Sequence, residues 1–207
     1  MATKIGAQQG DKVYRFTPAE RVAHWVHTVC FFLLLLTGLA VFWPGGNAIA
    51  SLFGGVQVAR IIHRVVAVPY AIVALVVLFG WAPEQAKEWL RIAWSWSKED
   101  LVFIAGYMPE LMGRHNPNLP EADKFNAGEK FNSVLTLVTG FGLVVTGIIM
   151  WFPHFFPKWL VRLAYPFHDL SWLGMSAMLV IHIYLSVIHP RMRAALEGMI
   201  SGWVSAE

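Results

Sequence analysis

Among the histidines in or beside the long apolar stretches of this chain, four can be matched in depth across different stretches, and an imidazole in such a place calls for a functional or pairing explanation. They are His24, His63, His168 and His182. Neutral imidazole is a common metal ligand, and it also forms hydrogen bonds between membrane helices. His168 and His182 are fourteen residues apart, which in an α-helix is about 21 Å and nearly four turns. The spacing therefore places two possible ligands on one helix face at two different depths.

The elements that must position these histidines are four apolar stretches, each long enough for a membrane helix of about 20 residues. The chain has 207 residues, is 57% hydrophobic and only 14% charged, and its mean hydropathy is +0.52. This composition excludes an ordinary soluble domain, and no basic stripe points to nucleic acid. The predicted spans are residues 25–43, 61–81, 131–152 and 168–188. We expect residues 1–207 to form a single all-α membrane domain, a four-transmembrane-helix bundle.

Charge predicts how the bundle is oriented. Basic residues are concentrated in the N-terminal arm, in the long connection between the second and third spans, and in the C-terminal tail. The positive-inside rule therefore predicts that both termini are cytoplasmic. Residues 84–97 of the long connection place Trp89, Ile92, Ala93 and Trp96 on one helical face. We expect a cytoplasmic interfacial helix here; the alternative is a short soluble helix packed on the bundle.

Successive spans run in opposite directions, and this determines which histidines share a depth. His63 opens the second span and His168 opens the fourth, so both lie at the outer level. His24 opens the first span at the inner level, where His182 also lies. Two such pairs, each split across helices, are what two bis-histidine haems need, and both axial positions of the iron are then filled. A zinc site would instead gather its ligands at one depth, and the bland alternative is hydrogen bonding between helices.

The remaining histidines carry a weaker signal. His27 is one turn after His24 and is an alternative ligand to it. His115 lies in the long connection, His154 in the short outer loop, and His189 at the predicted exit of the last span. We expect these three, and His27 unless it replaces His24, to be solvated or structural.

Charged residues also flank the predicted outer ligands. Arg60 and Arg64 bracket His63 in the sequence QVARIIHRVV. We expect Arg60 to anchor the helix at the interface, and Arg64 to do the same or to pair with a haem propionate. Asp169, next to His168, has no role that the sequence explains.

Several motifs together resemble one known family. They are ERVAHW (20–25), RIIH (60–63), FNAGEK (125–130), and the histidines of 168–182 followed by IYLSVIHPRMRAALEGMISGWVS. From about residue 12 to its end, the chain resembles the gamma (cytochrome b) subunit of membrane-bound formate dehydrogenase. The four-histidine pattern alone is shared with hydrogenase cytochrome b subunits. FNAGEK and the EGMISGWVS tail indicate the formate dehydrogenase branch.

This resemblance implies a four-helix subunit with two b-type haems, which passes electrons from an iron–sulfur (beta) subunit to quinone. It implies the haem ligand pairs already reached, and a quinone site at Asn126, Gly128 and Glu129 near His182. It further implies a catalytic (alpha) subunit with molybdenum or tungsten, and a place in the respiratory chain of a bacterial inner membrane. The chain would then be a non-catalytic electron-transfer subunit, embedded in membrane lipid, that carries the quinone-reducing site.

Other functions remain open from the sequence. The same kind of electron-transfer subunit could serve a hydrogenase or another molybdenum oxidoreductase. A stand-alone haem enzyme, such as a quinone-linked superoxide oxidase, would need no partner subunit. A haemless scaffold or transporter would use its histidines only for hydrogen bonds between helices.

Overall fold

A computed structural model describes residues 6–43, 45–76, 80, 83–112, 114, 116–120, 125–189 and 194–205. The helices and strands are, in chain order, β1 (Gln8–Gln9), β2 (Lys12–Tyr14), α1 (Pro18–Phe42), α2 (Asn47–Ser51), α3 (Val56–Val76), α4 (Pro83–Trp94), α5 (Lys98–Gly106), α6 (Met108–Leu111), α7 (Ala127–Trp151), α8 (Lys158–Ile183), α9 (Ala194–Ser201) and β3 (Trp203–Ser205). A 3-10 turn, Pro153–Phe155, precedes α8, and a π-helical turn, Tyr184–Ile188, follows it. His115 and most of the predicted end of the second span lie outside the described residues.

Four of the described helices, α1, α3, α7 and α8, are long and apolar enough to cross a membrane. Each overlaps one of the four predicted spans, so the predicted all-α four-helix architecture is confirmed. Within the bundle, α1 packs along α3 and α7 packs along α8. Each helix begins earlier than the sequence predicted; α8, for example, begins at Lys158 rather than at residue 168. His168 therefore lies within its helix and does not open it.

Polar caps explain why two of these helices begin early. Thr17 caps α1 by accepting a hydrogen bond from the backbone N–H of Glu20, whose carboxylate accepts one from the N–H of Thr17. Asn126 and Glu129 form the same reciprocal arrangement at the start of α7. Such a capping box satisfies backbone donors that have no partner inside the helix. Helix starts therefore lie in polar sequence, ahead of the apolar run that hydropathy detects.

The helices bury little of their apolar surface against one another. A small core of Cys30, Phe31, Tyr70 and Met175 fills the centre of the bundle. Large apolar side chains point outward along all four helices, and several of them are more than half exposed. An apolar surface of this extent is unfavourable in water and is matched to lipid. The chain is therefore an integral membrane protein.

The connection between α3 and α7 contains the predicted amphipathic helix. This helix, α4, buries Ala86 and Ala93 and packs against α7. It ends at Trp94, so Trp96 follows the helix and does not lie on its face as predicted. The contact with α7 anchors α4 to the bundle, and its position on the cytoplasmic membrane surface stays a prediction.

A small sheet joins the two ends of the chain. Its strand β2 pairs antiparallel with β1 on one side and with β3 on the other, with Tyr14 opposite Trp203. The backbone carbonyl of Met199 accepts a hydrogen bond from Trp25 Nε1 at 3.1 Å, and that of Ile200 accepts one from Arg21. The sequence did not predict this sheet. It holds the C-terminal segment against the first turns of α1, close to His24.

Candidate functional site

The structure brings the four span histidines together in two pairs. The ring centroids of His63 and His168 are 6.4 Å apart, and the ring planes are inclined by 60°. The centroids of His24 and His182 are 6.2 Å apart, with an inclination of 52°. These are the pairs expected from matching depths. Each pair joins two different helices, so a group bound between the rings would link the elements of the bundle.

The spacing of the rings discriminates between metal coordination and a direct hydrogen bond. With a metal–nitrogen bond of about 2 Å and roughly 1.1 Å from nitrogen to ring centre, an ion bound between two imidazoles separates their centres by about 6.2 Å. Two imidazoles joined by a hydrogen bond of about 2.9 Å would have centres only about 5.1 Å apart. The observed 6.4 and 6.2 Å agree with the first value. The residues at both levels therefore fit an axially ligated haem iron.

The described part of the chain shows no metal site built from protein side chains alone. Within it, no group of three or more His, Cys, Asp or Glu side chains could hold a metal ion. A structural zinc site would need four such ligands at one place. The paired arrangement thus favours a ligand that supplies its own equatorial donors, as the haem macrocycle does.

Two buried threonines contact the His63/His168 pair. Thr37 Oγ1 lies 2.9 Å from His63 Nδ1, and Thr146 Oγ1 lies 2.9 Å from His168 Nδ1. Each threonine hydroxyl also donates a hydrogen bond to the backbone carbonyl four residues earlier in its own helix. Sequence reasoning missed both residues. The available signal was a short repeat, LTGLAVFW (36–43) and VTGIIMWF (145–152), which places Thr–Gly at corresponding positions in the first and third spans.

The His24/His182 pair has a different environment. The Nδ1 atom of His24 is buried and has no hydrogen-bond partner among the described residues. The ring of His24 also meets the edge of Trp25, with centroids 5.1 Å apart. The two histidine pairs therefore share a spacing, but His24 lacks the threonine contact at Nδ1 that both rings of the other pair have.

The alternative ligand His27 lies in an aromatic contact between the two levels. Its ring packs on Tyr70, with centroids 4.4 Å apart and an inclination of 33°. The Tyr70 hydroxyl in turn donates a hydrogen bond to Met175 Sδ at 3.4 Å. Met175 is seven residues from both His168 and His182, so this contact lies midway between the pairs. The observed position gives His27 a packing role.

The arginine beside the first pair contacts an aromatic ring. The guanidinium carbon of Arg64 is 5.9 Å from the centre of the Trp151 ring, within the range of a cation–π interaction. Both Arg64 and Arg60 are exposed. Anchoring of both side chains at the membrane interface stays a prediction, as does contact of Arg64 with a haem propionate.

The three residues predicted for the quinone site lie together at the start of α7. The capping hydrogen bonds between Asn126 and Glu129 are both 2.9 Å long. A Cβ atom on Gly128 would lie 3.2 Å from Asn126 Oδ1, so glycine keeps this cap uncrowded. Arg15, just before α1, lies 3.4 Å from the Glu129 carboxylate. The contact places these residues at the end of the bundle that holds His24, and each is partly exposed.

A buried ion pair lies beside this cap, and sequence reasoning missed it. Lys130 Nζ is 2.8 Å from Asp100 Oδ2, and the two side chains are only 13% and 9% exposed. Lys130 also donates to the backbone carbonyl of Ser95 at 2.9 Å. Burial by itself would raise the pKa of Asp100, but hydrogen bonds from Lys130 and Ser97 outweigh it and lower that pKa. The pair ties α5 to the start of α7.

The remaining predicted positions fall outside both pairs. His189 is only 1% exposed and its ring lies 5.9 Å from that of Tyr184, so it is structural rather than solvated. His154 is exposed in the 3-10 turn before α8. Asp169 is partly buried next to His168, and nothing in the structure explains it.

Comparisons with known proteins identify several similar membrane cytochrome subunits. A formate dehydrogenase cytochrome b556 subunit from Haemophilus influenzae is 28% identical over 214 residues, covering 98% of this chain and 81% of that protein. The nitrate-inducible formate dehydrogenase cytochrome b556(Fdn) subunit of Escherichia coli is 27% identical over 191 residues, covering 90% of this chain and 81% of its own length. The formate dehydrogenase cytochrome b556(fdo) subunit of the same species is 25% identical over 202 residues, which cover 95% of this chain and 87% of that protein.

A family-level match covers most of the chain. Residues 15–202 match the family described as prokaryotic cytochrome b561. The match includes all four long helices and both histidine pairs. The chain belongs to the prokaryotic cytochrome b561 family, and it is a helical membrane protein that binds b-type haem.

Proposed function

We propose that this chain is the cytochrome b subunit of a membrane-bound formate dehydrogenase and carries two haems. The observation that carries the proposal is the presence of two histidine pairs, each with the spacing of one axially ligated iron. Formate dehydrogenase subunits among the relatives support the choice of complex. When bound, the haems supply reversible one-electron carriers. The histidines of this chain hold them at two depths, so that electrons can cross the membrane.

The proposed direction is from the His63/His168 end to the His24/His182 end. Electrons arrive on the outer side from an iron–sulfur (beta) subunit, which receives them from a molybdenum or tungsten catalytic (alpha) subunit. They leave to quinone near the cytoplasm. The basic N-terminal arm and long connection support cytoplasmic termini in a bacterial inner membrane. Because electrons move inward while protons are taken up inside, turnover increases the membrane potential.

The first test is the haem content of the purified complex. We expect two b-type haems for each copy of this chain, because each histidine pair provides both axial ligands of one iron. The absorbance spectrum of the reduced form, calibrated by haem extraction and protein quantification, gives this ratio. One haem or none per chain would overturn the proposal.

The proposed quinone site is the partly exposed group Asn126, Gly128 and Glu129. A quinone carbonyl needs a hydrogen-bond donor, and the Asn126 amide retains its N–H2 group while its oxygen caps α7. Glu129 could take part in proton delivery from the cytoplasm, with Arg15 beside its carboxylate. The group is at the end of the bundle that holds His24, where the proposal places quinone.

Substitutions of Asn126 separate helix capping from quinone binding. Asn126→Asp keeps an acceptor for the cap but removes the amide donor, whereas Asn126→Ala removes both. We expect Asn126→Asp to keep both haems and wild-type thermal stability, yet to raise the KM for a soluble quinone about tenfold or more, as loss of one hydrogen bond allows. An unchanged KM in Asn126→Asp would assign this residue to capping alone.

The composition of the complex distinguishes the related functions. Purification from native membranes through a tag on this chain is expected to yield an iron–sulfur subunit and a formate-oxidising catalytic subunit. A co-purifying hydrogenase would mean that this chain still transfers electrons to quinone but receives them from hydrogen oxidation instead of formate oxidation. Full activity of the isolated chain, without partners, would favour a stand-alone haem enzyme.

A further inference from the structure

We propose that Thr37 and Thr146 are positioning residues that make the His63/His168 site the more reducing of the two haem sites. Electrons entering there would then pass downhill to the His24/His182 site. The inference rests on the proposed function, and it adds a physical reason for the direction of transfer. The inference follows from a difference in the hydrogen bonds at histidine Nδ1 between two pairs that have similar ring spacing.

The first step is the direction of the threonine hydrogen bonds. A hydroxyl has one hydrogen to donate. In Thr37 this hydrogen points to the carbonyl of Leu33, 2.7 Å away, and Thr146 makes the equivalent bond in α7. The oxygen of each threonine can then only accept from the neighbouring imidazole, so His63 and His168 each carry their proton on Nδ1. Nε2 of each ring is left with a free lone pair, as an iron ligand requires.

The second step is that α1 and α7 each come close to one of the two imidazole rings at a glycine. Gly38 follows Thr37, and a Cβ atom there would lie 3.5 Å from His63 Cε1. Gly147 follows Thr146, and its Cβ atom would lie 3.8 Å from His168 Cε1. A larger side chain at either position would press on the imidazole. The two Thr–Gly pairs thus make the same kind of contact, one from α1 to the ring of His63 and the other from α7 to the ring of His168.

The third step is the effect on the ligand. An imidazole whose Nδ1–H donates to an oxygen becomes a more basic ligand, and a more basic ligand favours ferric over ferrous iron. Both rings of the His63/His168 pair make such a bond. In the other pair, His24 Nδ1 has no partner among the described residues. We therefore expect a haem iron held by the first pair to have the lower reduction potential, so that one electron passing to the second site would oxidise one iron and reduce the other without bond or proton changes.

The test measures reduction potentials in the intact complex. Thr37→Val and Thr146→Val preserve side-chain shape but remove the acceptor. We expect each to raise the potential of the outer haem, with a larger rise in the double variant, while the inner haem is unchanged. Potentials are read from absorbance spectra at controlled voltage, and His182→Ala, which should retain the outer haem alone, identifies that signal.

The chain offers a matched control. Thr139 is seven residues before Thr146 on α7, is buried, and makes the same bond to the carbonyl four residues earlier. Thr139→Val should leave both potentials unchanged. If a Thr37→Val variant loses the outer haem, Thr37→Ser must restore it with the wild-type potential, because serine retains the hydroxyl.

The outcomes separate the two proposals. Two haems with potentials unaffected by Thr37→Val and Thr146→Val would overturn this inference and leave the proposed function intact. A Thr37→Ser variant that behaves like Thr37→Val would also overturn it. A wild-type chain without two haems would instead refute the proposed function.

Discussion

Replacing His182 with alanine is expected to remove one b-type haem and halve the haem absorbance per chain. Of the two histidine pairs, His182 belongs only to the inner one, where its ring centroid lies 6.2 Å from that of His24. The outer pair includes His168, which is about 21 Å away along the same helix and keeps both of its rings. Electron transfer to quinone should fall to background because its last carrier site is lost, while the outer haem is still reduced by formate. Haem extraction and quinone reduction by the purified complex measure the two effects.

Two other histidines serve as controls for this result. His27→Ala tests the alternative ligand, and since His27 packs on Tyr70 rather than on His182, it should retain both haems. His154→Ala, in an exposed turn, should change neither haem content nor activity. Loss of both haems in His182→Ala, or of neither, would contradict the pairing. Loss of one haem in His27→Ala together with full retention in His24→Ala would make His27 the inner ligand.

The pairing of the histidines could be predicted because two geometric constraints determine which of them share a depth in the membrane. A helix rises by a nearly fixed amount per residue, and a bilayer forces successive spans to alternate in direction. Given these constraints, the spacing of His168 and His182 assigns a depth to each, and one partner at each depth follows. The observed pairs agree with this geometry. Their ligation of haem remains a prediction.

The helix starts could not be predicted because hydropathy measures only the part of a helix that lies in lipid. The first turns of α8 carry Lys158 and Arg162, and Pro166 lies inside this helix. A hydropathy criterion excludes these charged turns from the predicted span, and a proline disfavours the helical conformation of the residue before it. The structure nevertheless continues the helix through all three. A helix can extend beyond the hydrocarbon when its polar turns face water or lipid headgroups.

The residues that sequence reasoning missed interact across long separations. Thr37 and His63 are on different spans, and a threonine inside an apolar helix usually bonds only to its own backbone. Asp100 and Lys130 are on different helices of the long connection and the third span. No local pattern indicates which acid meets which base. Only the repeated Thr–Gly dipeptide carried a signal that could have been used.

Replacing Lys130 with methionine is expected to destabilise the folded protein by roughly 3 kcal/mol, the lower end for one partner removed from a buried ion pair. The Asp100 carboxylate would lose its counter-charge while 9% exposed, and α5 would lose its tie to the start of α7. Thermal unfolding in detergent, with protease cleavage within residues 95–106 as a local probe, measures the loss. Lys87→Met, which breaks an exposed pair with Glu84, should have no measurable effect.

The double variant and the pH dependence test the cause. Asp100→Asn keeps an acceptor for the Ser97 backbone N–H, so combining it with Lys130→Met should recover most of the lost stability. Burial alone would raise the pKa of Asp100, but its hydrogen bonds lower it below the unfolded value of about 3.9. The ion pair therefore contributes fully above about pH 4, and its contribution is lost as pH falls through the lower folded pKa. The stability difference between wild type and Lys130→Met should shrink in that acidic window. A difference that stays constant there would show that lost packing of the lysine side chain, rather than its charge, causes the effect.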